Sequence, residues 1–131
     1  MGKIMSQTVD QRPPVAVGHV RLPATDVAAA AQWLESVGLR PIANMADLAV
    51  LELRGGTHVV VRKAEHRLEA GSPAPFDLMV DDIDAARSDY AAKSLGPSDI
   101  SRGRIHDSFH LMGPDGHDFT VCSSHARGRV V

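Results

Sequence analysis

The chain is expected to fold as one α+β domain built from two tandem βαβββ units. Three observations carry that expectation. A strand–helix–strand–strand–strand order of hydrophobic patterns occurs twice. Asp26 and Asp82 stand at corresponding places before the two helical patterns. Gly55-Gly56 and Asp115-Gly116 mark corresponding turns before the last strand of each unit. An internal repeat constrains most of a chain at once, so it outweighs any single motif.

The first unit, about residues 15–63, opens on an alternating run from Val15 to Leu22. Ala16, Gly18, Val20 and Leu22 share one face, and Val15, Val17, His19 and Arg21 share the other, because strand side chains alternate. Thr25-Asp26 can cap a helix whose apolar positions are Val27, Ala30, Ala31, Leu34 and Val37, with Gly38 placed to end it. Strands are expected at Leu39–Met45, Asp47–Leu53 and Thr57–Arg62, the last two joined by Arg54-Gly55-Gly56, a hairpin signal.

The second unit, about residues 75–122, repeats the order. Phe76–Val80 alternates, Asp82 can cap a helix Ile83–Leu95, and Gly96-Pro97 stops it. A poorly patterned strand is expected near Pro97–Arg102. Strands His106–Met112 and His117–Val121 then flank the turn Gly113-Pro114-Asp115-Gly116. Residues 65–75, polar and containing Pro and Gly, read as the linker between units. Residues 1–14 read as a loose arm and 123–131 as a solvated tail. Trp33 and Tyr90 lie at helical core positions and are expected to pack rather than to stack on a ligand.

Composition narrows the function classes. At 131 residues, 44% apolar and 23% charged, the chain has the makeup of a single globular domain. Its formal charge of −2 gives no concentrated positive field for nucleic acid. No apolar run approaches the roughly 20 residues of a membrane-spanning helix. The single cysteine, Cys122, cannot form an internal disulfide, and a reducing cytoplasm is the expected home, with no secretory signal visible.

Three segments carry a family resemblance. They are Gly18-His19-Val20-Arg21-Leu22 with Asp26 after it, Val80-Asp81-Asp82-Ile83-Asp84-Ala85-Ala86, and Ser108 through His117 around Gly113-Pro114-Asp115-Gly116. Over about residues 15–122 the chain resembles the vicinal oxygen chelate superfamily, which includes glyoxalase I, bleomycin-resistance proteins and extradiol dioxygenases. The resemblance implies that the two units form a curled mixed sheet whose concave side holds a ligand cavity. It also implies four metal-ligand positions, one on the first and one on the last strand of each unit. In this chain they fall on His19, Val60, Pro75 and Thr120. Proline and valine have no side-chain donor atom, and a neutral threonine hydroxyl substitutes poorly for a carboxylate. The usual metal is therefore not expected, and no other cofactor is. The glyoxalase and dioxygenase chemistries would lose their electrophile without it. The metal-lacking bleomycin-resistance branch is the closer analogy.

On this reading the ligand-facing residues are His19, Arg21, His58, Asp77, His110, Asp118 and Thr120. Each has a plainer reading beside it. His19 reads equally as a hydrogen-bonded core histidine. Arg21 and Asp77 occupy matching places in the two units and could pair structurally with each other. His58, just after a turn, reads first as solvent-exposed. His110 is a better cavity residue than His106, which adjoins the glycine-containing Arg102-Gly103-Arg104. The expected function is small-molecule binding, as in ligand sequestration or resistance, or a metal-free reaction using histidine as acid or base. The alternative is a lyase or dioxygenase with a displaced metal site of His19, His58, His110 and Asp118. A homodimer is expected, since a sheet of this kind leaves strand edges open.

Overall fold

The computed structural model describes residues 9–131. Residues 1–8 of the expected arm lie outside that description. Unit one contains β1 (His19–Ala24), α1 (Val27–Val37), β2 (Arg40–Met45), β3 (Leu48–Glu52) and β4 (His58–Lys63). Unit two contains β5 (Leu78–Val80), α2 (Ile83–Ala92), β6 (Ser108–Met112) and β7 (Asp118–Ser123). The fold is α+β, as the repeat predicts.

Both helices start by the same device. The Asp26 carboxylate accepts the Ala29 N–H and the Asp82 carboxylate accepts the Ala85 N–H, each at 3.0 Å. Each bond satisfies one of the amide donors that a helix start leaves without an intrahelical partner. α1 ends where expected, with Gly38 at φ 130° donating its N–H to the Leu34 and Glu35 carbonyls. α2 stops at Ala92, short of the expected Leu95. Ser94 turns into the left-handed region at φ 60°, and the Leu95 N–H closes back on the Tyr90 carbonyl at 3.0 Å. That turn swings Leu95 against the core.

The strands form two mixed sheets, ordered β1-β4-β3-β2 and β5-β7-β6. β1 runs parallel to β4 and β5 parallel to β7, while the other pairs are antiparallel. The expected start of the first strand at Val15 is corrected to His19. β1 pairs only with β4, whose first residue, His58, lies opposite His19; before it the chain is held only by the His58 N–H on the Gly18 carbonyl and the Thr57 hydroxyl on the Val17 carbonyl. The expected strand at Pro97–Arg102 also shrinks. Ser98 and Ser101 bond to His110 and Ser108 of β6, but only an isolated bridge forms. Arg102 then turns away to Asp84 and Asp107, at 2.8 and 2.9 Å.

Period-two burial separates the faces. Leu22, Leu51, Val59 and Val61 in the first sheet are at most 3% exposed, as are Phe109, Leu111, Phe119 and Val121 in the second. All belong to one core cluster beneath the helices. That core joins the units. The Trp33 ring on α1 lies 5.0 Å from Phe119 on β7, and Phe76 meets Phe119 edge-on at 5.5 Å. The Tyr90 hydroxyl of α2 donates to the Val37 carbonyl at the end of α1, at 2.8 Å.

The linker is strapped to unit two. Gly71 N–H donates to the Gly116 carbonyl at 2.7 Å, and Asp118 exchanges backbone bonds with Ser72 and Ala74 at 2.9 Å. Gly116 has φ 84°, and a Cβ there would lie 2.8 Å from the Ala70 Cα, so only glycine fits beneath the linker. Among the described residues no helix is long and apolar enough to cross a membrane.

Candidate functional site

The face turned away from the core carries the polar side chains. On β1 and β4, His19 and His58 are cross-strand partners, and their rings stand edge to face with centroids 6.2 Å apart. Across the β3–β4 ladder, Glu52 is the partner of His58, and His58 Nε2 lies 3.0 Å from Glu52 Oε2. On the other side of Glu52, Arg40 of β2 donates its Nε–H to Oε1 at 3.0 Å, with a second bond from Nη2. Three adjacent strands thus build an Arg40–Glu52–His58 chain.

Its electrostatics follow from the bonds. Arg40 first, and His58 second, hold the Glu52 carboxyl below the usual carboxylate range. Glu52 is therefore ionised at neutral pH and accepts from both neighbours. A carboxylate can only accept, so the bonded His58 nitrogen carries the proton and Nδ1 of the neutral ring keeps its lone pair. His58 is thus half-buried between Glu52 and His19 rather than simply solvated, which corrects the plainer reading of it.

Unit two builds a second pair. His110 Nδ1 lies 2.8 Å from Asp118 Oδ1, and Thr120 is the cross-strand partner of His110. The same donor–acceptor logic leaves His110 Nε2 as the unbonded nitrogen, on a side chain 53% exposed. The roles are exchanged between the units. Unit one places the histidine at the start of its last strand and the carboxylate on the strand before, whereas unit two does the reverse.

Arg21 and Asp77 do not pair. Asp77 precedes β5, whose partner is β7, and its charge together with burial raises the Cys122 thiol, burial being the larger cause. Arg21 instead lines a groove of about 410 Å³ on unit one. The two residues belong to different parts of the fold, Arg21 to β1 of the first sheet and Asp77 to the segment leading into β5 of the second. His106 lies off β6 with its ring 5.9 Å from His125.

The superfamily's metal does not fit the residues present. Of its four positions only His19 offers a strong donor, since Val60, Pro75 and Thr120 bring no nitrogen, sulfur or carboxylate. The displaced set does not assemble either. His58 is engaged by Glu52 and His110 by Asp118 on different sheets. Among the described residues no three His, Cys, Asp or Glu side chains group to hold a metal ion.

Sequence reasoning missed Arg40, Arg62, Lys63 and Arg67, and left Glu52 outside the chosen site. Arg62 was within reach: it continues the His58, Val60 alternation by one more step. Arg40 was not, because its meeting with Glu52 depends on the β2–β3 register, which slips between Pro41 and Ala43.

Two strand–helix–strand units over a shared core, in mixed sheets of four and three strands with a polar face opposite the helices, give the chain the glyoxalase-type, vicinal oxygen chelate fold. It is similar to the lactoylglutathione lyase of Agrobacterium tumefaciens, with TM-score 0.69, 21% identity, 89% of this chain and 99% of that one covered. It is similar also to a glyoxalase/bleomycin resistance protein/dioxygenase from Alicyclobacillus acidocaldarius, with TM-score 0.68, 20% identity and coverage of 86% and 93%. A third is the oxidase ChaP-H2, with TM-score 0.64, 13% identity and coverage of 86% and 95%. No protein-family model matches the chain, and no curated protein matches it. At these identities the likeness is one of fold, and a lyase and an oxidase share it.

Proposed function

We propose that the protein binds a small molecule on its helix-free face without the superfamily's metal, as a ligand-sequestering or resistance-type protein. The observation that carries this reading is the pair of histidine–carboxylate couples, Glu52–His58 and His110–Asp118, held on strands of the two sheets and pointing away from the core. Side chains fixed by neighbouring strands lose little entropy when a ligand meets them. Each couple offers one unbonded imidazole nitrogen, which can accept a ligand's hydroxyl or amide proton. His19 and Thr120, beside them, complete the polar face.

The same arrangement favours a second reading, a metal-free acid–base reaction. A histidine that donates the N–H of one ring nitrogen to a carboxylate presents the lone pair of the other to substrate, which is the geometry of a general base. His110, the more exposed of the two couples' histidines, is the base on that reading.

The protein is further proposed to be a reducing-compartment, cytoplasmic homodimer. Support comes from the buried lone Cys122 and from the open edge strand β2, which exposes Ile42 at 49% and Met45 at 57%. Light scattering that gives one chain per particle across micromolar concentrations would remove the dimer from the proposal.

The binding reading is tested by mass spectrometry of small molecules released from freshly purified protein and by rebinding of what is found. Glu52→Gln with Asp118→Asn should lower occupancy at least tenfold, because each change removes a charge-assisted bond that sets the imidazole proton. Unchanged occupancy in the double variant would overturn the reading.

A further inference from the structure

We infer that the groove on unit one is an anion subsite, and that the ligand is an organic anion with an apolar body. The inference rests on the reading of the helix-free face as the binding surface and names the class of ligand it takes. Four basic side chains line the groove: Arg21 of β1, Arg62 and Lys63 of β4, and Arg67 of the linker. Only one carboxylate, Glu65, lines it with them. Apolar side chains, Val60 and Leu68 among them, line it between the charges.

None of these four cations has an acidic partner, a state shared among the described residues only by Arg104 and by Arg127 and Arg129 of the tail. Elsewhere Arg12, Arg40, Arg54, Arg87, Lys93 and Arg102 each have an acidic oxygen within 4.0 Å. Among the described residues none of the groove's four does, although the whole chain carries a formal charge of −2. Like charges gathered without compensation repel, so the cluster costs stability unless an anion completes it. Its concavity and volume of about 410 Å³ fall in the size range of small-molecule sites.

Topology makes the cluster and ties it to the proposed site. The parallel β1–β4 ladder sets Pro23 opposite Arg62, bringing Arg21 and Arg62 onto one face, and the chain beyond β4 folds over as the groove's wall. Arg21 is two residues along β1 from His19, about 6–7 Å. A ligand whose acid group enters the groove therefore extends its other end toward His19 and the His58–Glu52 couple. Arginine forks match carboxylate and phosphate oxygens in bidentate geometry, so either acid group is accepted.

The test is amide chemical-shift titration of the full chain with phenyl phosphate, benzoate and uncharged benzyl alcohol. The two anions should give saturable shifts at Val60, Arg62 and Leu68, and benzyl alcohol should not. Affinity should fall roughly tenfold or more in Arg21→Gln with Arg62→Gln. It should also fall on raising salt from about 0.05 to 0.5 M in the unmodified protein, a measurement independent of how the variant folds. Anion shifts unaltered by salt or by the substitutions would overturn the inference. So would saturable benzyl alcohol shifts at His58 and His110 with no anion response in the groove, and that result would leave the binding reading standing. Shifts from none of the three probes anywhere on the helix-free face would overturn both. Attachment to phosphatidylserine vesicles, with no saturable response to phenyl phosphate, would replace the free anion with a lipid surface and overturn it too.

Discussion

Phe119→Ala should loosen both units at once. The Phe119 ring is 1% exposed and belongs to β7 of unit two, yet it contacts Trp33 of unit one at 5.0 Å, Phe76 at 5.5 Å and His117 at 6.1 Å. Truncating a fully buried phenylalanine costs about 3–5 kcal/mol, through lost transfer energy and the cavity left behind. Three rings lose a partner here, which puts the cost in the upper half of that range. With a urea slope of about 2 kcal/mol/M, the unfolding midpoint should fall by about 2–2.5 M. The chain has a single tryptophan, and Trp33 sits at the joint, so its fluorescence reports the interface directly. Urea transitions followed by Trp33 fluorescence and by far-ultraviolet circular dichroism should coincide and shift together. A loss below about 1 kcal/mol, or a Trp33 transition separated from the main one, would refute a shared core in which Phe119 joins the units.

Three further outcomes are expected. Burial holds the His117 imidazole below its ordinary 6.5, so the unfolded chain takes up a proton first and stability falls as pH drops through that value. His117→Asn should flatten the melting temperature against pH between about 7 and 5, leaving the loss at lower pH, where lowered carboxyls such as Glu52 take up protons. Gly116→Ala should cost about 2–3 kcal/mol in chemical denaturation, from left-handed strain and the 2.8 Å approach to Ala70, and a loss under 0.5 kcal/mol would mean the linker strap yields freely. Elemental analysis of protein never exposed to chelator or nickel resin should show no stoichiometric transition metal, and about one ion per chain would refute the donor-set reasoning.

Much of the fold was legible because its signals are local. Period-two alternation, an aspartate before each helix and a glycine-bearing turn before each last strand depend on near neighbours in sequence, and they place the two units without tertiary information. The faces of His19, His58, His110 and Thr120 follow from the same alternation, since a strand with one buried side has one polar side. The limits of the elements were less legible. β1 begins where β4 offers a partner, and α2 ends where Leu95 turns inward.

By itself the sequence determined the βαβββ order of the first unit and most of its repeat in the second, the capping aspartates and the alternation of faces. Each depends on residue type and short spacing. Only the tertiary structure decided which polar residues meet. Glu52 joins His58 and Arg40 through two ladder registers, His110 reaches Asp118 across a hairpin, and Arg21 meets Arg62 and Arg67 through a parallel crossover and a folded-back linker. It also set Arg21 on β1 of the first sheet and Asp77 in the segment leading into β5 of the second. The physical reason is one of range: side-chain periodicity is set within a few residues, whereas register and sheet order are set by burial of the whole core, and a single-residue slip re-pairs every side chain on a strand.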